Sequence, residues 1–387
     1  MKAPIVIATL LQENDHNGVQ AHFSAFNEYL RNHGESAQII TPFHVSHALV
    51  YPIFGVRRLI HSLNGAASVW WYRYWHYLFL RYALGRFLKS GMPAIIYAQC
   101  PLSAKAALKA RRSASQRIIM IAHFNLSQAN EWAEKGMISA DGNMYRAIQN
   151  TERKVLPAVD GIVYVSQFSK QNLEQWVNNL GNTPSAVIPN FVAEPETIAV
   201  NGPLADIINI GTMEPRKNQR YLIDVLIHAS QMGHRYTLTL IGDGPDREAL
   251  ERLVRENELE GQVNFMGAVP DAARYIRHHR LYAHSATMES FGIVLIEAMA
   301  SSIPVIAAPV GGIPEVFSEG CEGIFWPLDN PKEGARRLCD LLERPDHIKQ
   351  KAAAARQRYL GNFTAEIAAG RLYEFLLHIA SLKNAAL

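Results

Sequence analysis

Residues 289–297 read Glu289-Ser290-Phe291-Gly292-Ile293-Val294-Leu295-Ile296-Glu297, and they join a predicted strand to a predicted helix. The two carboxylates are separated by seven residues, the first in the loop and the second on the helix. A glycine near the start of a helix lets backbone N–H groups approach an anion, and the helix dipole adds to the attraction. We therefore expect a phosphate group to bind near residues 291–294.

The same alternation of strand and helix extends through the rest of the chain. In the second half, strands are predicted at residues 207–210, 236–241, 263–266, 281–284, 304–307 and 323–326. In the first half they are predicted at residues 5–11, 38–40, 94–98, 118–122 and 161–165, with a first helix at residues 19–32. Apolar strands separated by helix-sized segments are typical of a parallel sheet covered by helices. The predicted fold class is α/β, with two Rossmann-like, doubly wound domains.

The length of 387 residues also favours two domains, because one hydrophobic core seldom serves so long a chain. The boundary is predicted in the stretch 189–203, which holds three prolines and a glycine and has no periodicity. We expect a first domain at residues 1–190, a linker at 191–203 and a second domain at 204–365. A last helix, at residues 366–387, is expected to pack back on the first domain. Ligands of such sheets bind beyond the carboxyl ends of the strands, which predicts a cleft between the domains.

Further motifs beside the glutamate pair make the pattern specific. They are Ala298-Met299-Ala300, Pro304-Val305-Ile306, Gly311-Gly312-Ile313-Pro314-Glu315 and Gly323. With them the chain resembles glycosyltransferase family 4, which implies the GT-B fold, two Rossmann-like domains facing each other across a cleft, and retention of anomeric configuration. The resemblance implies that Glu289 bonds hydroxyls of the donor sugar and Glu297 those of the ribose. Without this context, Glu289 would be read as a solvated loop acid and Glu297 as a helix surface residue.

The segment Gly211-Thr212-Met213-Glu214-Pro215-Arg216-Lys217-Asn218 follows one predicted strand and precedes a helix. Arg216 and Lys217 can neutralise a diphosphate leaving group there, since Arg clamps two oxygens and Lys supplies a point charge. Much of the family has an arginine directly after Gly211, where this chain has Thr212, so the pairing of cations with phosphates stays open. An exposed basic turn without function is the alternative.

The resemblance extends the candidate site to other loops. Gly242 lies in a glycine turn after a strand, and Val269 lies in the loop where related enzymes hold the nucleobase through main-chain atoms. In the first half, Gly18 of the first βα loop can approach the donor phosphates, and His123 matches the family's cleft histidine. A tight-turn glycine and an ordinary core histidine are the respective alternatives. Donor-binding residues are thus predicted as Gly18, Gly211, Gly242, Val269, Ser290, Phe291, Gly292, Ile293, Val294 and Glu297, and catalytic ones as His123, Arg216, Lys217 and Glu289.

A basic, aromatic segment predicts a surface for the acceptor. Residues 36–130 contain 11 Lys and Arg and no Asp or Glu, and residues 69–82 hold three of the six tryptophans. Aromatic and cationic side chains together are typical of a membrane interface, although four basic residues between 73 and 86 exclude a bilayer-spanning helix. The predicted membrane or acceptor residues are Arg57, Arg58, Trp70, Trp71, Arg73, Trp75, Arg81 and Arg86. Packing of these aromatics as an ordinary core helix is the alternative.

The function predicted from these features is transfer of a hexose-type sugar from UDP- or GDP-sugar to a lipid-linked or membrane-embedded glycan acceptor. No Asp-x-Asp pair occurs in the sequence, so we expect no metal and no cofactor besides the nucleotide sugar. The N-terminus has no signal-peptide pattern, which predicts a cytoplasmic protein, peripheral at the inner face of the membrane. A transferase making small soluble glycosides and a nucleotide-sugar epimerase are the alternatives, and no nucleic acid partner is expected.

Overall fold

The computed structural model describes residues 3–12, 18–196 and 205–382. It divides into two compact units. The first unit contains the described chain up to Pro189 and from Ala368 onward, and the second contains residues 190–367.

The first unit is built on a six-stranded parallel sheet with strand order β2-β1-β3-β4-β5-β6. The strands are β1 Ile5–Ala8, β2 Ala37–Ile40, β3 Ala94–Ala98, β4 Gln116–Ala122, β5 Gly161–Tyr164 and β6 Ser185–Val187. The central strands are continuous apolar runs because helices cover both faces of a parallel sheet. The helices preceding the second unit are α1 Gly18–Asn32, α2 His47–Leu63, α3 Gly65–Phe87, α4 Pro101–Ala110, α5 Gln128–Glu134, α6 Asn143–Val155 and α7 Gln167–Trp176.

The second unit repeats this plan with strand order β12-β11-β10-β7-β8-β9, again all parallel. Its strands are β7 Ala205–Ile210, β8 Leu238–Ile241, β9 Val263–Gly267, β10 His279–His284, β11 Val305–Ala307 and β12 Gly323–Phe325. Its helices are α8 Gln219–Gln231, α9 Arg247–Glu256, α10 Ile293–Ala300, α11 Ile313–Val316, α12 Pro331–Leu342 and α13 Pro345–Asn362. The predicted α/β class with two doubly wound domains is confirmed.

The described part of the predicted linker belongs to the second unit. Phe191 and Val192 are buried, the Val192 N–H donates to the Phe363 carbonyl at 3.3 Å, and the Tyr359 hydroxyl donates to the Val192 carbonyl at 3.0 Å. These bonds fasten the start of the segment to α13 and to Phe363 directly after it. Residues 197–203 of the predicted linker lie outside the described residues.

The last helix, α14 Gly370–Ser381, returns to the first unit. Leu372, Leu376 and Ile379 are fully buried on its inner face. At Gly161, the first residue of β5, an added Cβ would lie 3.1 Å from the Ile379 side chain, so the helix packs directly against this strand. Among the described residues, no helix has the length and apolar character that crossing a bilayer requires.

We expect Leu376→Ala to lower the free energy of unfolding of the first unit by about 2–5 kcal/mol, because it opens a cavity beneath α14. Five of the six tryptophans lie before residue 189, so tryptophan fluorescence during urea denaturation reports mainly on this unit. Leu382→Ala is the matched control, since that side chain is 37% exposed and its loss should cost under about 0.5 kcal/mol. Equal effects of the two substitutions would show that α14 does not support the first unit.

Candidate active site

The Glu289 carboxylate lies at the centre of a charged cluster in the second unit. Its side chain is only 13% exposed, and its Oε1 contacts the Lys217 ammonium group. Its Oε2 lies 3.5 Å from the Arg216 guanidinium. His284 Nε2 lies 3.5 Å from Oε1, at the outer limit of a hydrogen bond. The structure therefore brings together three of the four predicted catalytic residues, Glu289, Arg216 and Lys217.

Sheet topology explains why these residues meet. Strands β7 and β10 are parallel neighbours, so the loops that follow them leave the same edge of the sheet. The loops are joined by hydrogen bonds: the Ser285 hydroxyl donates to the Lys217 carbonyl at 2.8 Å, and the Thr287 N–H donates to the Arg216 carbonyl at 2.9 Å. The backbone thus fixes both cations relative to the carboxylate.

A glycine pair supports the Glu289 loop from the other side. The Gly312 N–H donates to the Glu289 carbonyl at 2.9 Å. Gly311 has φ of +57°, and an added Cβ there would lie 1.9 Å from the same carbonyl oxygen. Only glycine allows this approach without displacing the loop.

The electrostatics of the cluster favour an ionised Glu289. Burial alone would raise the pKa of its carboxyl, but Lys217, His284 and Arg216 together outweigh burial and hold the pKa well below its usual range. Burial also lowers the pKa of His284, so this imidazole is neutral at pH 7. A neutral ring with its proton on Nε2 can donate toward Glu289.

Arg216 is shared with a second acid. Its Nη2 lies 2.9 Å from Glu214 Oε1, and the Glu214 side chain is almost completely buried. Arg216 therefore lies between two carboxylates, Glu214 and Glu289, and Lys217 contacts only the second. This arrangement orients the cations and sets their charge against an equal number of acids.

The predicted phosphate loop has the backbone that the sequence indicates. Gly292 has φ of +87° and directly precedes α10, which begins at Ile293. Ser290 and Phe291 are buried, and the Phe291 ring packs edge-on to Phe363 at 5.8 Å. Phe291 therefore contributes a core side chain. Val294 is partly buried, as is Ile293.

Glu297 lies on the same helix, and burial raises the pKa of its carboxyl to about 7. The carboxyl is thus divided between its neutral and ionised forms near pH 7. A neutral carboxyl can donate a hydrogen bond as well as accept one, and both forms can pair with ribose hydroxyls. Glu297 is therefore not a solvated residue on the helix surface, which was the alternative interpretation of the sequence.

The other predicted donor residues of the second unit lie in loops after neighbouring strands. Gly242 has φ of +139°, and an added Cβ there would lie 2.0 Å from the Gly211 carbonyl oxygen, so these two loops touch. Val269, in the loop after β9, is partly exposed. Gly242 fixes the packing of the loops, and Val269 keeps part of its surface accessible to solvent.

The remaining two predictions fall in the first unit. Gly18 is the exposed first residue of α1, and residues 13–17 before it lie outside the described residues. His123 directly follows β4, its ring centroid is 5.0 Å from that of His22, and burial lowers its pKa to about 3. His22 in turn forms a hydrogen bond, since its Nε2 lies 2.9 Å from the Tyr97 hydroxyl oxygen. His123 is consequently a partly buried, neutral imidazole.

The structure places half of the predicted membrane residues in contacts within the first unit. Arg73 turns inward and donates to Gln128 Oε1 at 3.2 Å, and the Arg57 guanidinium lies 4.7 Å above the Tyr72 ring. The Trp71 indole donates to the Ile53 carbonyl at 2.8 Å. Trp75 packs its ring 5.5 Å from that of buried Phe79. Arg57, Trp71, Arg73 and Trp75 are therefore internal contacts, while Arg58, Trp70, Arg81 and Arg86 are exposed.

Sequence reasoning missed His284 and Glu214, which line the cluster described above. His284 is the last residue of β10, so the rule that strand ends line the site could have found it. Glu214 lies in the segment of residues 211–218, in which only Arg216 and Lys217 were predicted to be catalytic. Within residues 3–12, 18–196 and 205–382, no group of three or more His, Cys, Asp or Glu is arranged to hold a metal ion.

Two family models match the chain. The one described as Glycosyltransferase Family 4 matches residues 16–194, and the one described as Glycosyl transferases group 1 matches residues 193–358. The second contains Glu289, Arg216 and Lys217. The predicted family resemblance is confirmed.

Curated relatives agree with this. The chain is 33% identical to N-acetyl-alpha-D-glucosaminyl L-malate synthase of Bacillus anthracis over 129 residues, which covers 33% of this chain and 34% of that protein. It is 28% identical to D-inositol 3-phosphate glycosyltransferase of Streptomyces bingchenggensis over 188 residues, covering 46% and 37%. The matched segments span about half or less of the curated relatives' lengths.

Solved structures show the fold over nearly the whole chain. HepE of Anabaena, solved in complex with UDP-glucose, has a TM-score of 0.70 at 17% identity, covering 97% of this chain and 100% of that one. Sucrose-phosphate synthase of Thermosynechococcus elongatus has a TM-score of 0.70 at 18% identity, with the same coverage. At this level of identity the likeness establishes the GT-B fold.

The buried position of Glu289 changes the expected stability of its variants. In the Glu289→Gln variant Lys217 loses its carboxylate partner, and Arg216 keeps only Glu214. We expect a loss of about 1–3 kcal/mol at pH 7. Because the folded pKa of Glu289 is lowered, its stabilisation is present above the ordinary value of 4.5 and is lost as pH falls below it. In thermal or urea denaturation, the difference in free energy of unfolding between wild type and variant should be smaller at pH 4 than at pH 7.

Glu256→Gln is the control for this comparison, because Glu256 is exposed near the end of α9. Its effect should stay within about 0.5 kcal/mol at both pH values. A Glu289→Gln variant as stable as wild type at pH 7 would contradict the buried ion-pair cluster.

Proposed function

Because the chain belongs to the family 4 glycosyltransferases and carries their group 1 domain, we propose that it transfers a hexose-type sugar from a nucleoside diphosphate to a membrane-borne acceptor. The observation that carries the proposal is the placement of Glu289 against Lys217 and Arg216, beside the N-terminus of α10. A carboxylate accepts hydrogen bonds from sugar hydroxyls, while cations and backbone N–H groups oppose a diphosphate. Both halves of a nucleotide sugar therefore have partners in one cluster.

The chemistry proposed for the donor half is departure of the nucleoside diphosphate from the anomeric carbon. Negative charge grows on the leaving phosphate, and Arg216, Lys217 and the backbone at Gly292 are already oriented to stabilise it. We propose that these groups supply the positive charge without a metal ion or other cofactor, and that the anomeric configuration is retained. The configuration of the product can be read from the proton coupling of its anomeric centre by NMR.

The donor base is proposed as uracil. Support comes from HepE, which shares the fold and was solved with UDP-glucose. A GDP-sugar is the alternative. Calorimetric titration with UDP, GDP and ADP separates these donors, because only the correct base gains the loop contacts beyond those of the diphosphate.

The acceptor is proposed to be a lipid-linked or membrane-embedded glycan, reached at the inner face of the membrane. The support is the run of residues 36–130, which has 11 basic and no acidic residues and includes exposed Arg58, Arg81 and Arg86. Such a surface attracts anionic headgroups or a lipid-linked pyrophosphate.

A second candidate function is transfer to a small soluble acceptor. The observation favouring it is the similarity to enzymes named for L-malate and inositol phosphate. Parallel assays with a polyisoprenyl-diphosphate-linked sugar and with small hydroxy acids or cyclitol phosphates distinguish the two. Incubation with the donor alone tests the epimerase alternative, which would convert the sugar without any acceptor.

We expect Glu289→Gln to lower the transfer rate by about a hundredfold or more, since it removes the charge facing the reacting sugar. The measurement is release of nucleoside diphosphate with each active donor, using protein shown to be folded. Glu256→Gln should keep the wild-type rate. An unchanged rate in Glu289→Gln would remove this residue from the proposed mechanism.

Replacing both Arg216 and Lys217 by Ala should weaken binding of free UDP by about a hundredfold. The variant loses two charge-assisted contacts and leaves Glu214 and Glu289 near the diphosphate. Isothermal calorimetry gives the affinity directly. Arg252→Ala with Arg255→Ala is a matched control, because both side chains are exposed on α9. Equal UDP affinity in the test variant and wild type would mean that these cations do not face the diphosphate.

A further inference from the structure

The outward side of α2 carries a continuous apolar stripe. Its members recur every three or four residues, which places them within one narrow arc of a helix. They are Leu49, Pro52, Val56, Leu59 and Leu63, all exposed. Leu59 is 69% exposed and Leu63 is 86% exposed. A surface helix normally exposes its polar side to solvent, whereas α2 exposes an apolar side.

Other residues of α2 form its inward side and pack against the first unit, so the stripe is not the side of the helix that faces the core. Val50 is fully buried, and the Ile53 carbonyl accepts the Trp71 indole N–H. Phe54 stacks on His76 of α3, with ring centroids 4.2 Å apart and planes at 7°. These contacts hold α2 against α3 in a fixed rotation, with the stripe facing outward.

Exposed aromatic residues add apolar surface on α3, the helix that packs against α2. Trp70 stacks on Tyr74 with ring centroids 5.2 Å apart, and both side chains are exposed. The Trp70 ring also lies 6.4 Å from Trp71, the residue bonded to α2. The α2 stripe and the Trp70–Tyr74 pair thus lie on two helices that pack together, and exposed apolar surfaces of this kind mark interaction sites.

Charge decides between a second copy of the chain and a lipid surface as the occupant. Arg58 lies on α2, and Arg81 and Arg86 lie on α3, all exposed. No acidic residue occurs anywhere from residue 36 to residue 130 to balance them. Pairing this surface with itself would bring like charges together, whereas anionic headgroups would neutralise them.

We propose that α2 lies in the interface of an anionic membrane, with the stripe of Leu49 to Leu63 dipping into the acyl boundary and Trp70 at headgroup level. Arg58, Arg81 and Arg86 contact the headgroups, and Arg57 and Trp71 hold the α2–α3 pair together from inside. The inserted element is thus α2 rather than the Trp-rich α3 that the sequence favours. This inference rests on the proposed function only for the presence of a membrane-borne acceptor.

The test is sedimentation of the full chain with vesicles of phosphatidylcholine containing phosphatidylglycerol. Leu59→Ser with Leu63→Ser should weaken partition by about tenfold or more, since two apolar side chains no longer gain from leaving water. Leu360→Ser, at an exposed leucine of α13, is the matched control and should bind as wild type does. Arg58→Gln with Arg81→Gln should weaken binding at low salt and much less at high salt.

Vesicle binding by Leu59→Ser with Leu63→Ser equal to wild type would overturn the inference. So would a wild-type dimer that these substitutions convert to a monomer while vesicle binding persists, because the stripe would then be a self-association surface. UDP affinity, measured on the same variants, should be unchanged and shows that they are folded. Vesicle binding without transfer from any nucleotide sugar would contradict the proposed function and leave this inference intact.

Discussion

A carboxylate almost removed from water stays ionised only if cations and donors surround it, and Glu289 meets that condition through Lys217 and Arg216. The condition constrains the backbone as well as the side chains. Both cations must come from the loop after β7 while the carboxylate comes from the loop after β10, and hydrogen bonds from Ser285 and Thr287 join these loops. The glycine pair at residues 311–312 then packs against the Glu289 carbonyl and fixes the loop from another side. Much of the second unit's loop architecture follows from keeping one acid charged.

The elements of the fold that follow from local chemistry could be predicted from the sequence. Strands such as β3 are uninterrupted apolar runs between turn residues, because both faces of the sheet are covered, and the predicted and observed bounds of β3 coincide. β6 was missed because it has three residues, Ser-Ala-Val, all only partly buried at the sheet edge. The first strand was predicted to reach residue 11 but ends at Ala8, and Leu10 packs against the core from the loop that follows. Edges and ends depend on tertiary packing, which sequence periodicity does not record.

The candidate site divides in the same way. Glu289, Arg216 and Lys217 stand in contiguous motifs after strands, so residue type and position were sufficient to choose them. His284 contributes through a 3.5 Å approach that exists only once β10 and the following loop are folded. The orientation of α3 could not be predicted, since its aromatic and basic residues occur on all sides of the helix and the sequence does not say which side faces inward. Gln128 and the neighbouring Glu152 carboxyl draw Arg73 into the unit, and both lie more than fifty residues further along the chain. α2 was overlooked because its stripe is apolar, and an apolar stripe on a helix ordinarily predicts a buried side.

The charge count of the cluster has a consequence for how a diphosphate binds. Arg216 and Lys217 carry two positive charges, Glu214 and Glu289 carry two negative ones, and neutral His284 adds none. The four side chains therefore exert little long-range attraction on an anion, and steering from a distance has to come from elsewhere. We propose the backbone at the N-terminus of α10 as a further contact for phosphate, because the first N–H groups of a helix carry partial positive charge. Arg216 already divides its guanidinium between Glu214 and Glu289, so in the proposed binding mode a diphosphate takes over one of those contacts. We propose that the carboxylate released by this exchange is Glu289, since hydroxyls of the donor sugar can replace the hydrogen-bond donor that it loses. The proposed mode couples the phosphate and the sugar through a single guanidinium, so each half of the donor is expected to bind less well without the other.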